Sequence, residues 1–102
     1  KAFAEFWVDN RTTFRPRGHR ALRAELRKKG VDPEIIDEAV SSVDETAAAI
    51  DAAKSRAPRL AHLPLHEFRH KLRTFLGRRG FDYDVTVMVV NQIITEQNET
   101  DL

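Results

Sequence analysis

The stretch ALRAELRKKGVDPEIIDEAV, residues 21–40, decides the fold, because KLRTFLGRRGFDYDVTVMVV, residues 71–90, repeats it without a gap. Leu22/Leu72, Arg23/Arg73, Leu26/Leu76, Gly30/Gly80, Asp32/Asp82 and Val40/Val90 are identical between the copies. The substitutions keep the chemistry. Lys28/Arg78 and Lys29/Arg79 stay basic, Val31/Phe81 and Ile35/Val85 stay apolar, and Glu34/Asp84 stays acidic. A period of this size marks tandem helical units that stack on their neighbours, since one unit cannot bury its own apolar face.

Each copy reads as a helix, a glycine stop, an aspartate start and a second helix. In the first, Leu22 and Leu26 share a face, and Gly30 stands where a left-handed residue ends a helix. Arg27, Lys28 and Lys29 suit that helix's negative C-terminal end. Asp32 is placed to cap the next helix with Pro33 at its first position, and Ile35, Ile36, Ala39, Val40 and Val43 form the buried stripe. The second copy offers Leu65, Phe68, Leu72, Phe75 and Leu76, then Gly80, the Asp82 cap, and Val85, Val89 and Ile93. By propensity alone VTVMVVNQII favours a strand; the repeat register and the cap make it a helix.

A further helix precedes each pair. Phe3, Phe6, Trp7 and Asn10 fall three or four apart with Phe14 following, and Ser42 with Glu45 reads as a capping box ahead of Val43, Ala47, Ile50 and Ala57. Pro16 and Gly18 punctuate the first connection, and Ala57 to Pro64, with two prolines, the second. The expected architecture is therefore all-α, with about six helices in two stacked three-helix repeats. The repeats span 1–41 and 42–95, and a polar tail at 96–102 is expected to fray. Leu22, Leu26, Ile36, Val40, Leu72, Leu76 and Val90 are the expected core. Because Lys1 opens directly in an amphipathic pattern, the first element is expected to be truncated and an N-terminal repeat to be missing.

With 102 residues, 41% hydrophobic and without cysteine, the chain has the size of one small domain whose core comes from Leu, Ile, Val, Ala and Phe. The lack of cysteine excludes disulfides, thiolate metal sites and a Cys nucleophile, and fits a reducing cytoplasm. No uncharged run approaches the roughly 20 apolar residues that span a bilayer, so no membrane partner is expected. The net charge of +1 hides a sorting into blocks. Residues 10–30 carry eight Arg or Lys against Glu25, and residues 31–53 carry seven acids and no Arg or Lys. The alternation recurs, with eight bases against Glu67 in 54–80 and five acids alone in 81–102. Such asymmetry points to a partner of one sign.

On a helix turning about 100° per residue, Arg17, Arg20, Arg23, Arg27 and Lys28 occupy an arc opposite Leu22 and Leu26. In the second copy Arg73 and Arg78 recur and His70 replaces Arg20, while Leu65, Phe68 and Phe75 widen the apolar face, so this copy should be the more buried. Stacking would align the arcs into a stripe suited to a phosphate backbone or an acidic protein surface. The alternative is that each basic helix neutralises the acidic helix after it through solvated ion pairs of little worth. Phe14 beside Arg11, Arg15 and Arg17, and Tyr83 beside Arg78 and Arg79, are candidates for stacking on nucleobases. Trp7 and Phe3 read as helix packing.

The run FAEFWVDNRTTFRPRGHRALRAELRKKGVDPEIIDEAV, followed by EFRHKLRTFLGRRGFDYDVTVMVV, resembles the RecX regulatory proteins of bacteria over nearly the whole chain. Its most specific parts are Ala21 to Val31 and Lys71 to Phe81, each a basic helix ending in a glycine and an apolar residue. The resemblance implies tandem three-helix repeats, usually three, of which about two fit here. It also implies a non-enzymatic regulator that binds RecA, the recombinase that filaments on single-stranded DNA, and restrains its ATPase and strand exchange. The basic-face residues Arg17, Arg20, Arg23, Arg27, Lys28, Arg73, Arg78 and Arg79 are the candidate contacts to the RecA filament, or to single-stranded DNA directly. A stand-alone nucleic-acid-binding helical protein is the second reading.

One catalytic motif is matched formally. His66, Glu67 and His70 spell H-E-x-x-H, in which two histidines one turn apart bind zinc and the glutamate polarises water. The motif overlies Pro16 to Arg20 of the other copy, where no metal chemistry is possible, lacks a third ligand at an obvious spacing, and is flanked by Arg69 and Lys71. A metallopeptidase is thus the remote reading, and no metal or other cofactor is expected. The four glycines form no phosphate-binding loop, no serine has a histidine-carboxylate relay nearby, and no small-molecule substrate is expected. Accordingly, His66→Ala together with His70→Ala should leave the fold intact by circular dichroism. One equivalent of zinc held through dialysis against a chelator would reverse this expectation.

Overall fold

Gly30 and Gly80 are the corners on which the repeat becomes three-dimensional. Both have positive φ, 81° and 85°, a region where a side chain is disfavoured. At the first corner Val31 N–H donates to Leu26 O at 3.1 Å and Gly30 N–H to Arg27 O at 3.0 Å. At the second, Phe81 N–H donates to Leu76 O at 3.2 Å and Gly80 N–H to Gly77 O at 3.0 Å. This is the Schellman pair, which satisfies orphan carbonyls at the helix end and turns the chain sharply.

The computed structural model describes residues 1–100, the last two by backbone alone. It has six helices: α1 (Ala2–Phe14), α2 (His19–Lys28), α3 (Pro33–Ser41), α4 (Glu45–Leu60), α5 (Leu65–Arg78) and α6 (Tyr83–Thr100), and no strand among the described residues. In the first unit α3 packs on both α1 and α2; in the second α4, α5 and α6 pack mutually. End-to-end placement of the units gives a body of 48 × 21 × 19 Å. Leu22, Leu26, Val40, Leu72, Leu76, Val89 and Val90 are fully enclosed, with Ile36 at 3% exposure. The β-branched run after Asp82 is helical because Val89, Val90, Ile93 and Ile94 fall on one face and bury against α4 and α5.

Several local expectations change. Asp32 sits at the N-cap of α3 but its carboxylate accepts no hydrogen bond from the helix. Asp44, rather than Ser42, caps α4, accepting from Ala47 N–H at 3.1 Å, while the Ser42 hydroxyl donates back to Ala39 O at 2.7 Å. α4 continues through Pro58 to Leu60, and its buried face is Ala48, Ala49, Ala52, Ala53 and Ala57, with Ala47 exposed. Small side chains on this face leave room for the bulky residues of α6 to approach. Leu65, expected in the apolar stripe, is 53% exposed. α6 runs to Thr100, past the expected start of the polar tail at Glu96; positions 101 and 102 lie outside the described residues.

The two units meet backbone to backbone. Gly18 N–H donates to Arg79 O at 2.8 Å. A Cβ on Gly18 would run into the Gly80 carbonyl, and one on Gly80 into Ala21. Beside this crossing lies Glu45, only 8% exposed, whose carboxylate accepts from His19 N–H at 3.0 Å and from Asp82 N–H at 2.9 Å. His19 Nδ1 stands 3.2 Å from the same carboxylate and Nε2 2.9 Å from Val43 O. One buried carboxylate thus joins the first turn of α2 to the loop before α6.

Gly18→Ala should therefore destabilise by more than the ~1–3 kcal/mol typical of overpacking, because the obstacle is backbone that cannot rotate away. Gly30→Ala meets open space and should cost only the left-handed penalty of about 1–2 kcal/mol. Equal losses in urea unfolding would contradict the close crossing. Glu45→Gln, which removes one of two acceptor oxygens from buried N–H donors, should cost about 1–3 kcal/mol in the same measurement.

Candidate basic docking surface

The basic residues of the two copies do not form one stripe. The structure divides them into residues tied down within the fold, residues free at the end of α2, and residues gathered in a concavity at the seam.

Glu25, the one acid of the first basic block, organises the first group. Its carboxylate accepts from Trp7 Nε1 at 2.9 Å and lies 3.5 Å from Arg11 Nε and 3.3 Å from Arg17 Nε. Trp7 in turn carries the Arg11 guanidinium 4.6 Å and the Lys29 ammonium 4.9 Å from its ring centre, while the exposed Phe3 ring tilts against it at 6.0 Å. Arg23 pairs with Asp37 of α3 at 3.3 Å, an exposed contact of small energetic worth. Arg20 reaches across the seam, donating to Gly77 O at 2.8 Å near the C-terminal end of α5, where a cation is favoured. Arg73 is half-buried with an enclosed Nε that has no hydrogen-bond partner among the described residues.

Arg27 and Lys28 are exposed on the last turn of α2 and form no ion pair among the described residues. They are the part of the expected arc that remains free.

Arg78 and Arg79 belong to the third group, and sequence reading missed Arg56 and Lys71 as their company. With Arg15 and Arg17 from the α1–α2 connection, Arg56 from α4, and His70, Lys71 and Phe75 from α5, they line a concavity of about 680 Å³ that has no carboxylate in its lining among the described residues. Phe75 is its platform: the Arg56 guanidinium lies 4.5 Å and that of Arg79 4.8 Å from the ring centre. Burial lowers the Arg79 pKa below the usual arginine value, and the charges of Arg15, Arg17 and Arg56 push it the same way. An adjoining hollow shares Arg15, Phe75 and Arg79 and is edged by Phe14, which is 79% exposed. Arg15 and Arg56 lie outside the internal repeat, which is why register gave no sign of them. Tyr83, the other stacking candidate, is 73% exposed.

Among the described residues no three His, Asp or Glu side chains gather to hold a metal ion. No described helix is long and apolar enough to cross a membrane.

Stacked three-helix units carrying basic surfaces define a helical-repeat protein. Comparison with known proteins makes this specific. The model for the second three-helix domain of RecX matches residues 1–40 and that for the third matches residues 44–90. The chain is 43% identical over 82 residues to the "Regulatory protein RecX" of Chlorobium phaeobacteroides, covering 80% of this chain and 54% of the relative. It is 39% identical over 103 residues to that of Streptomyces coelicolor, covering 96% and 54%. Against that of Prosthecochloris aestuarii it is 36% identical over 94 residues, covering 92% and 62%. The chain belongs to the RecX family, and it spans a little over half the length of these relatives. No solved structure matches it.

Proposed function

We propose that the chain is part of a non-enzymatic regulator that binds RecA filaments on single-stranded DNA and restrains their ATPase and strand exchange. Family membership supplies the class, through relatives named as regulatory proteins. The observation that carries the contact is the free basic end of α2. Arg27 and Lys28 are exposed and form no ion pair among the described residues, whereas Arg17, Arg20 and Arg23 are engaged within the fold. Exposed cations without internal partners give up no ion pair on meeting an acidic surface, and they speed encounter with it. Regulation of this kind places the protein in recombination and repair of DNA in the bacterial cytoplasm, with no small-molecule substrate, no membrane and no cofactor. A zinc peptidase through His66, Glu67 and His70 gains no support, because no third ligand stands near them among the described residues.

The test is the RecA ATPase rate on single-stranded DNA at increasing concentrations of the chain. The parent should lower the rate. Arg27→Glu with Lys28→Glu should need several-fold more protein for the same effect while melting like the parent, since neither residue supports the fold. An unchanged dose response in the double variant would remove the α2 end as the contact. Inertness of both the chain and the full-length protein carrying it would remove the reading itself.

A further inference from the structure

The concavity at the seam has a different character from the end of α2. Arg15, Arg17, Arg56, Lys71, Arg78 and Arg79 converge on it from three segments. Of these only Arg17 forms an ion pair among the described residues, with Glu25 outside the lining, and Asp51 is the one carboxylate along the adjoining hollow that Arg15 and Arg79 share. Cations assembled without a counterion raise one another's energy, and a bound multivalent anion relieves this. Guanidinium forks outnumber the one ammonium, and they match the oxygens of a phosphate in pairs. The Phe75 ring is covered by two of the guanidiniums, so it holds them in place and is not offered to a base. Phe14, in contrast, stands open beside Arg15, at the edge of the adjoining hollow.

We propose that this seam binds single-stranded nucleic acid directly, its phosphates seated among Arg15, Arg56 and Arg79 and one base stacked on Phe14. An arginine-lined channel flanked by an exposed aromatic ring is the arrangement by which single strands are held without reading sequence. An acidic peptide would satisfy the cations but would leave Phe14 without a role. Binding here is independent of the filament reading, because the strand is bound with no recombinase present. It also bridges the α1–α2 connection of the first unit to α4 and α5 of the second, so it should raise the melting temperature as ligand that binds only the folded chain does.

The experiment is fluorescence anisotropy of a labelled oligothymidylate of about fifteen nucleotides, within the site sizes such proteins use. Arg15→Gln with Arg56→Gln should weaken binding more than ten-fold and flatten the slope of log affinity against log salt by about two phosphate contacts. The charge-matched control, Arg27→Gln with Lys28→Gln, should change affinity less than three-fold. Phe14→Ala, an exposed position, should weaken the oligonucleotide about ten-fold while leaving binding of inorganic tripolyphosphate unchanged, which separates a stacked strand from a free oligophosphate. Equal losses in the two double variants, an unaffected Phe14→Ala, or displacement of the strand by polyglutamate as readily as by tripolyphosphate would each overturn the proposal. Because no recombinase is present, failure here leaves the filament reading standing, and an inert filament assay leaves this one standing.

Discussion

The backbone crossing of Gly18 against Gly80 is the contact on which the arrangement of the two units depends. Apolar packing holds each unit together internally, but packing alone allows many relative orientations of two short bundles. A main-chain hydrogen bond from Gly18 to Arg79, with both glycines lacking the side chain that would force the chains apart, allows one. Glu45 then fixes it by accepting from backbone N–H groups on both sides. A buried carboxylate is tolerated there because donors surround it, and removing them would leave an unpaired charge. The basic concavity follows from this crossing, since Arg15 and Arg17 come from the segment leading into Gly18 and Arg79 immediately precedes Gly80.

The division of labour among the arginines follows from distance to that crossing. Arg20 and Arg17, close to it, are used to bond a helix end and to pair with Glu25. Arg27 and Lys28, two turns further along α2, form no ion pair among the described residues. A helix whose sequence reads as a uniform basic face is therefore graded along its length, from structural cations at its start to free ones at its end.

How much of this was legible in the sequence depends on whether a feature repeats. Leu22 with Leu72, Leu26 with Leu76 and Val40 with Val90 were readable as core because the same register placed them twice, and the helices followed. The register even overrode β-propensity in α6 correctly. Features present in one copy only were not readable. Glu45 near a helix start looks like a capping residue, and nothing local distinguishes a carboxylate that turns back to its own helix from one that reaches a loop 37 residues away. Thr86 stands where the other copy has Ile36, yet it is 4% exposed with a hydroxyl lacking a partner among the described residues, a burial no polar pattern announces. Pro58 marks a helix end by rule, but α4 runs past it to Leu60, with Ala57 buried just before the proline and Leu60 half-buried just after it. The concavity was invisible for a related reason: Arg56 approaches Arg79 only once α4 packs on α5, and Arg15 only once the units are docked.

The seam also gives the stack a direction. Gly30 is the counterpart of Gly80, has the same left-handed turn, and has nothing within 4 Å of where its side chain would be. The counterpart of Gly18, however, is Phe68, a large ring buried at 2% exposure. A plug is thus present in both units and a socket in only one. Another unit of this kind could receive the Gly30 corner on the N-terminal side, but the second unit has no glycine with which to receive one in return. Extension by this contact is open at one end and terminated at the other, and a single residue identity sets that polarity.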